Sequence, residues 1–395
     1  LIQRVFGRFI RVRGGTPLII EMKIIQIGPV TPEFGGTFVG GIATHLTQLV
    51  ENISSKGIEI KILSTTKRNI TRQGVIVIGM ASPLLRLEYF LKKPLSFVIS
   101  MLNGGKRSLV RAIYEYYIKS SYKTEDAIIH VHSLHCDFAD NILDDYNVIF
   151  SDHGFWQKKF DREELRERIK KSKKIISVSK YAKKRLIDEF PEAQEKTEVI
   201  YNPITPIEKS NLSSKSIEKE KDVIFFNGYS ESLKRKGLDL LIDKSVSELK
   251  DEMFIVIVDD DGRKYIEKQG EFNNLLVNNK LPFDTIVNIY KRAKLMVLPS
   301  RSESFGIVYI EAASYGVPVI GFKPVIDEFN EFLGIDIGLA FDTENETSLD
   351  LLKKIKEALS IGWNHDEIMK VVEREFSWDK LSKDFIELYQ SSYEK

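Results

Sequence analysis

The sequence is short of cysteine: in 395 residues there is one, Cys136. A lone thiol forms neither an intramolecular disulfide nor a multi-cysteine zinc site, so a reducing cytoplasm is the expected compartment. Net charge is also nearly absent. Lys and Arg number 58 against 57 Asp and Glu, a formal balance of +1, which argues against a dedicated nucleic-acid binder while leaving room for local basic patches. No apolar run is long enough for a membrane span. The charge-free stretch from Phe34 to Val50 is broken by Gly35, Gly36, Gly40, Gly41, Thr37, Thr44 and Thr47, a poor transmembrane helix. Residues 1–21 lack both an apolar core and a small-residue cleavage site, so a secretory signal is not expected. The first methionine is Met22, at the head of a strand-like run. Met22 therefore reads as the native start, and residues 1–21 as a dispensable or disordered extension.

What is present points to a soluble globular chain, 43% hydrophobic and 29% charged. The length predicts two domains of about 180 residues each. Short β-branched runs alternate with amphipathic segments, the pattern of parallel sheets with crossover helices, so the fold class is α/β. Strands are expected at 23–27, 58–63, 75–78, 128–132, 148–150, 174–177 and 198–200, then at 223–226, 254–258, 275–277, 295–298, 317–320 and 338–341. Between the two series, residues 202–221 carry Pro203, Pro206 and a Ser/Lys-rich stretch that reads as a linker. The expected division is a first domain over 22–205 and a second over 206–377. Helices are expected at 365–375 and 378–393, with Ser377 as N-cap. Ligands of open α/β sheets gather at the carboxyl ends of strands, so motifs after strands carry most weight.

Gly28, Gly35, Gly36, Gly40 and Gly41 lie between the first strand and the helix near Ile42. Such a turn lets backbone N–H groups approach a phosphate, but the spacing also suits a plain flexible connection. The loop after 295–298 runs Pro299-Ser300-Arg301-Ser302-Glu303-Ser304-Phe305-Gly306-Ile307-Val308-Tyr309-Ile310-Glu311. Glu303 and Glu311, about two helical turns apart, can present carboxylates to one side. Carboxylates beside a helix N-terminus suit a ligand with hydroxyls and a diphosphate; a capped helix with Glu311 on its polar face is the alternative. Asp259, Asp260 and Asp261 could hold a divalent cation or form a strand-end turn. His130, His132, His135 and Cys136 could hold a structural metal or simply belong to a strand, and His45 suits a packed helix position. The aromatic and basic residues of 86–123 suit an anionic membrane surface, or a packed helix pair with a solvated face. The basic run 158–185 admits the same two readings.

The Glu303–Glu311 spacing, with Pro299 to Gly306 and Glu311-Ala312-Ala313-Ser314-Tyr315-Gly316-Val317-Pro318-Val319-Ile320, resembles the retaining GT-B glycosyltransferases of family 4. Gly40 to His45, Lys56 to Leu63, His130 to His132, Asp152 to Gly154, Val178-Ser179 and Asn202-Pro203 extend the resemblance over about 22–378. It implies two Rossmann-like domains facing a central cleft, with the last helix, 378–395, crossing back to the first domain. It further implies a metal-independent transfer, with no cofactor, of a sugar from a UDP- or GDP-linked donor to a glycan or lipid-linked acceptor. Glu311 would hold the ribose and Glu303 the donor sugar. The backbone of Ser304, Phe305, Gly306, Ile307 and Val308 would face sugar and diphosphate, with Gly40 and Gly41 approaching from the other domain and His153 near the reacting sugar. Lys236 would neutralise the leaving diphosphate. Where the family carries Gly-Arg, this chain has Gly228-Tyr229, so Lys234 or Arg235 would have to replace the arginine. An epimerase, a phosphorylase or a non-catalytic nucleotide-sugar binder of the same fold would share these residues.

Overall fold

The computed structural model describes residues 23–36, 41–64, 66, 68–72, 74–79, 109–124, 127–134, 140–154, 161–204, 222–229 and 231–393. Residues 1–21 and Met22, Gly40, most of 86–123, His135 with Cys136, and the linker stretch 205–221 lie outside these. The described residues form two compact units, one drawn from 1–151, 159–175 and 386–395, the other from 152–158 and 176–385.

The first sheet has the order β3-β4-β2-β1-β5-β6-β7-β8. Its strands are β1 (Lys23–Ile27), β2 (Glu59–Ser64), β3 (Ile70–Arg72), β4 (Val75–Gly79), β5 (Ala127–Val131), β6 (Asn147–Asp152), β7 (Lys174–Ser177) and β8 (Thr197–Val199). β3 runs antiparallel to β4, whereas β1 is parallel to both β2 and β5. Central parallel strands are covered on both faces and need near-continuous apolar sequence. Ile24, Ile25 and Ile27 of β1 and Ile128, Ile129 and Val131 of β5 meet that need, each at most 3% exposed. The Gly41–Ser54 helix packs Ala43, Leu46, Leu49, Val50 and Ile53 inward, one stripe of a 3.6-residue period.

Polar groups inside this unit form a hydrogen-bonded chain. Gln26 Nε2 donates to Tyr389 Oη (2.9 Å), and Gln26 Oε1 faces His132 Nε2 (2.6 Å). His130 meets Tyr389 Oη through Nδ1 and Ser151 Oγ through Nε2, both at 2.8 Å. The basic run after residue 158 is likewise tied within the unit. Arg168, 1% exposed, binds Asp140, Glu164 and the carbonyl of Leu134.

The second sheet has the order β11-β10-β9-β12-β13-β14 and its pairings are parallel. Its strands are β9 (Val223–Asn227), β10 (Met253–Ile257), β11 (Leu275–Asn278), β12 (Ala293–Leu298), β13 (Val319–Phe322) and β14 (Gly338–Phe341). The chain runs outward from β9 through β10 to β11, then returns to the other side of β9 as β12. That reversal makes the β9/β12 edge a topological switch point, where loops part and leave room for a ligand. Phe225, Phe226, Phe254, Met296 and Val297 fill the core beneath it.

Three local features depart from, or add to, the reading of the sequence. β13 starts at Val319, two residues later than the apolar run suggests, because Pro318 has no N–H for the ladder and contributes only its carbonyl, to Met296 N. The helix after Gly237 is interrupted by a π turn over Leu241–Ser245. Asp259 is no loose strand-end turn: it N-caps the Asp260–Gln269 helix by accepting from Gly262 N. Ser377 does cap the Trp378–Tyr393 helix, accepting from Lys380 N at 3.2 Å.

Candidate active site

Two loops at the switch point carry the site. The one after β12 starts at Pro299 and enters the Ile307–Ala313 helix through Gly306, whose φ of 68° a side chain would strain. Phe305 anchors it. Its ring, 3% exposed, packs against Tyr201, Phe329 and Phe376, which leaves the backbone of 304–308, rather than the Phe305 side chain, available to a ligand. Tyr309 secures the other end by donating to Leu298 O (2.8 Å) and accepting from Phe322 N (3.1 Å).

The second loop, Glu231 to Gly237, follows β9. Ser232 is its fixed point: its hydroxyl donates to Asp259 Oδ1 at 2.5 Å and its N–H to Oδ2 at 3.1 Å. Burial opposes ionisation of Asp259, but the Ser232 hydroxyl and the N–H groups of Gly262 and Ser232 outweigh it and hold the carboxyl below its usual range. Gly237 has φ 78° and abuts Pro299, whose carbonyl oxygen would lie 2.2 Å from any Cβ there. Arg301 closes the two loops on each other. Its guanidinium donates to Lys234 O (2.6 Å) and to both oxygens of Asp239 (2.8 and 3.0 Å), and its N–H to Arg235 O (2.8 Å).

This framework brings Lys236 to Glu303. Nζ donates to Oε1 at 2.5 Å, Ser300 Oγ donates to the same oxygen at 2.9 Å, and the side chains are 13% and 8% exposed. A charge-assisted hydrogen bond of this kind contributes about 1.5–3 kcal/mol. Of the two residues expected to stand in for the arginine missing at Tyr229, Arg235 has Nη1 3.8 Å from Glu303 Oε1 and also pairs with Glu231. Lys234 is 80% exposed and pairs with Asp239, so the structure brings Arg235, not Lys234, to the Lys236–Glu303 pair.

Glu311, half-buried on the Ile307–Ala313 helix, accepts a long bond from Tyr290 Oη (3.4 Å); the Tyr290 ring stacks on Tyr315 at 5.5 Å. Burial pushes the Glu311 carboxyl up to about 7. Gly154, next to His153 in the chain, approaches the β12 loop directly. Gly154 has φ 77°, and a Cβ there would lie 2.2 Å from Ser304 Oγ. Burial drives the His153 imidazole down to about 4, so the ring is neutral at physiological pH. Burial also raises the neighbouring Asp152 to about 7, against the Gly154 N–H it accepts at 2.7 Å.

In the first unit, Gly41 opens its helix and a Cβ there would meet no described atom within 4 Å. Gly28 and Gly36 serve packing instead: added Cβ atoms would strike Leu46 at 2.9 Å and the Val30 carbonyl at 1.8 Å. Among the described residues no group of three or more His, Cys, Asp or Glu side chains is arranged to hold a metal ion, and no helix is long and apolar enough to cross a membrane. Asp260 and Asp261 are exposed in the first turn of their helix.

Several residues of the site escape sequence reasoning. Ser300 and Arg301 sit inside the quoted motif, but their partners, Glu303 and the distant Asp239, emerge only with the fold. Tyr290 and Asn227, which donates to Tyr290 Oη at 3.4 Å, carry no local signal at all.

Comparison with known proteins agrees with this architecture. The family described as Glycosyltransferase Family 4 matches residues 39–207, and that described as Glycosyl transferases group 1 matches 208–370. An uncharacterized glycosyltransferase of Methanocaldococcus jannaschii is 25% identical, with 92% of this chain and 96% of that protein covered. Among solved structures, the catalytic domain of starch synthase IV from Arabidopsis thaliana, bound to ADP and acarbose, superposes with a TM-score of 0.69 at 15% identity, covering 95% of this chain and 100% of that one. HepE from Anabaena, in complex with UDP and glucose, gives 0.65 at 17% identity, covering 94% and 100%. With both halves matched in order and two Rossmann-like parallel-sheet units in place, the chain belongs to the GT-B glycosyltransferases of the group 1, family-4-like kind.

Proposed function

We propose that the protein transfers a sugar from a nucleotide diphosphate donor to a glycan or lipid-linked acceptor, with retention of anomeric configuration and without a metal ion. The observation that supports this best is the Lys236–Glu303 pair at the β9/β12 switch point, flanked by the 304–308 backbone and Glu311. Lys236 can exchange its carboxylate partner for a diphosphate and stabilise the charge that grows there as the glycosidic bond breaks. Glu303 is then released toward the hydroxyls of the sugar, and Glu311 accepts from the ribose. In the proposed step the acceptor oxygen bonds to the anomeric carbon on the face from which the diphosphate departs, and the acceptor proton passes to the leaving phosphate oxygen. The neutral His153 ring contributes a hydrogen bond to the reacting sugar. Bound UDP and glucose in HepE, and ADP in starch synthase IV, support a nucleoside diphosphate as the leaving group. Work at the cytoplasmic face of an anionic membrane fits a lipid-linked acceptor.

Thermal-shift screening of UDP- and GDP-sugars tests the reading, since a ligand selective for the native state raises its melting temperature. The expected result is stabilisation by one donor, followed by product with the α or β configuration of that donor. Release of free sugar or sugar phosphate would indicate an epimerase or phosphorylase. Tight donor binding with no turnover on any glycan or lipid-linked acceptor would indicate a binding protein.

A further inference from the structure

The three residues at the carboxyl end of β9 point to separate tasks. Asn227 reaches Tyr290, and through it Glu311. Gly228 lies against the site lysine, since a Cβ there would stand 3.0 Å from Lys236 Cβ and 2.6 Å from the Phe226 ring. Tyr229, which stands at the position where the resemblance calls for an arginine, instead leaves 43% of its surface exposed. Lys280, just beyond β11, places Nζ 6.0 Å from the centroid of that ring, the outer limit of cation–π attraction. Among the described residues no carboxylate pairs with Lys280, so its ammonium can turn to a new oxygen without breaking an ion pair.

An exposed aromatic ring with an ammonium over one face matches a planar heterocycle that carries carbonyl groups and lies on the other face. The ring stacks on the heterocycle, and the ammonium attracts its oxygens. A nucleotide sugar laid along the proposed site uses Lys236 for the diphosphate and Glu311 for the ribose. Its base is the part still without a partner, and Tyr229 follows in the chain the two residues, Asn227 and Gly228, that reach toward these anchors. We infer that Tyr229 and Lys280 form the stacking platform for the nucleobase of the donor, with Lys280 selecting among bases by their carbonyl pattern. This deepens the proposed function and rests on it.

Isothermal titration of the full chain with UDP, GDP, ADP and inorganic pyrophosphate tests the inference in four proteins: wild type, Tyr229→Ala, Tyr229→Phe and Lys280→Ala. At least one nucleoside diphosphate should bind the wild type. Tyr229→Ala should weaken it about 5- to 100-fold, the range of a lost base–aromatic stack, while pyrophosphate binding holds and Tyr229→Phe stays within about 2-fold. Lys280→Ala should flatten the preference among the three bases. Unchanged nucleotide affinity in Tyr229→Ala would overturn the platform, as would an equal loss for pyrophosphate, which would assign the ring to the diphosphate. A loss seen with UDP-glucose but not with UDP would assign it to the sugar. An unchanged base preference in Lys280→Ala would overturn the selecting role of that lysine. Failure of the wild type to bind any nucleoside diphosphate would sink both this inference and the function beneath it, whereas binding that ignores Tyr229 sinks this inference alone.

Discussion

The two units bury polar groups in opposite ways. In the first, Gln26, His130, His132, Ser151 and Tyr389 are all at most 2% exposed and are joined to one another by hydrogen bonds. In the second, Lys236, Glu303 and Glu311 lie on the loops and helix that follow β9 and β12, where Glu303 accepts from Lys236 and Ser300 and Glu311 takes one long bond from Tyr290. A buried network of this kind specifies structure, because each missing partner leaves a buried polar atom unsatisfied. An open charged pair of the second kind is a liability for stability and an asset for binding.

The sharpest way to break this contrast is Lys236→Ala. Loss of a donor aimed at the developing charge should lower kcat by about 100- to 1,000-fold with a smaller effect on donor affinity. Full turnover in this variant, measured by steady-state kinetics with the identified donor, would remove the lysine from the mechanism. Tyr389→Phe should do the reverse. It strips the shared hydroxyl from Gln26 and His130 and should cost about 1–3 kcal/mol of stability, read as a lower urea midpoint, with donor affinity unchanged. An unaltered midpoint would show that the network adjusts without its centre.

Next in size is the pH dependence of Glu311. Its carboxyl ionises at about 7 in the folded protein against an ordinary 4.5. The folded state therefore binds more protons than the unfolded one between those values, and stability falls as pH rises through that window. Asp152, also near 7, adds a slope of the same sign, so the diagnostic is the difference between wild type and Glu311→Gln. That variant should lose part of the slope. It should also lose the rise in donor affinity between pH 6 and 8 that follows when ribose hydroxyls favour the ionised carboxylate. Parallel pH profiles for the two proteins would contradict the assigned role. The smallest effect separates two neighbours: Arg235→Ala should reduce turnover modestly, while Lys234→Ala should match wild type. The opposite order would show that the exposed lysine swings in to replace the family arginine.

The sequence was most informative where one segment carries its own meaning. Alternating β-branched runs announce parallel sheets, and the Pro299–Glu311 motif announces the loop and helix after β12. It is least informative where function depends on partners far apart in the chain. Nothing near Arg301 reveals that it will clamp Asp239, and nothing near Asp259 reveals that Ser232 will hang from it. The glycine-rich stretch after β1 shows the other limit. Composition cannot tell Gly41, which has open space before it, from Gly36, which is pressed onto a carbonyl.

Residues 176–204 bear on how the chain could be dissected. The Lys180–Glu189 helix is N-capped by Ser179, which accepts from Ala182 N, and Glu328 accepts from Lys180 N at 2.6 Å and Tyr181 N at 2.9 Å. Ser179 Oγ donates to Ser304 O at 2.5 Å, and Tyr201 packs with Phe305, Phe332 and Phe376. A fragment beginning at residue 222 would lose all of these, exposing an aromatic patch and releasing the loop that carries Glu303. Separate expression of the second unit therefore calls for a start near residue 176, so that Ser179, the capped helix and Tyr201 stay with the loop they support.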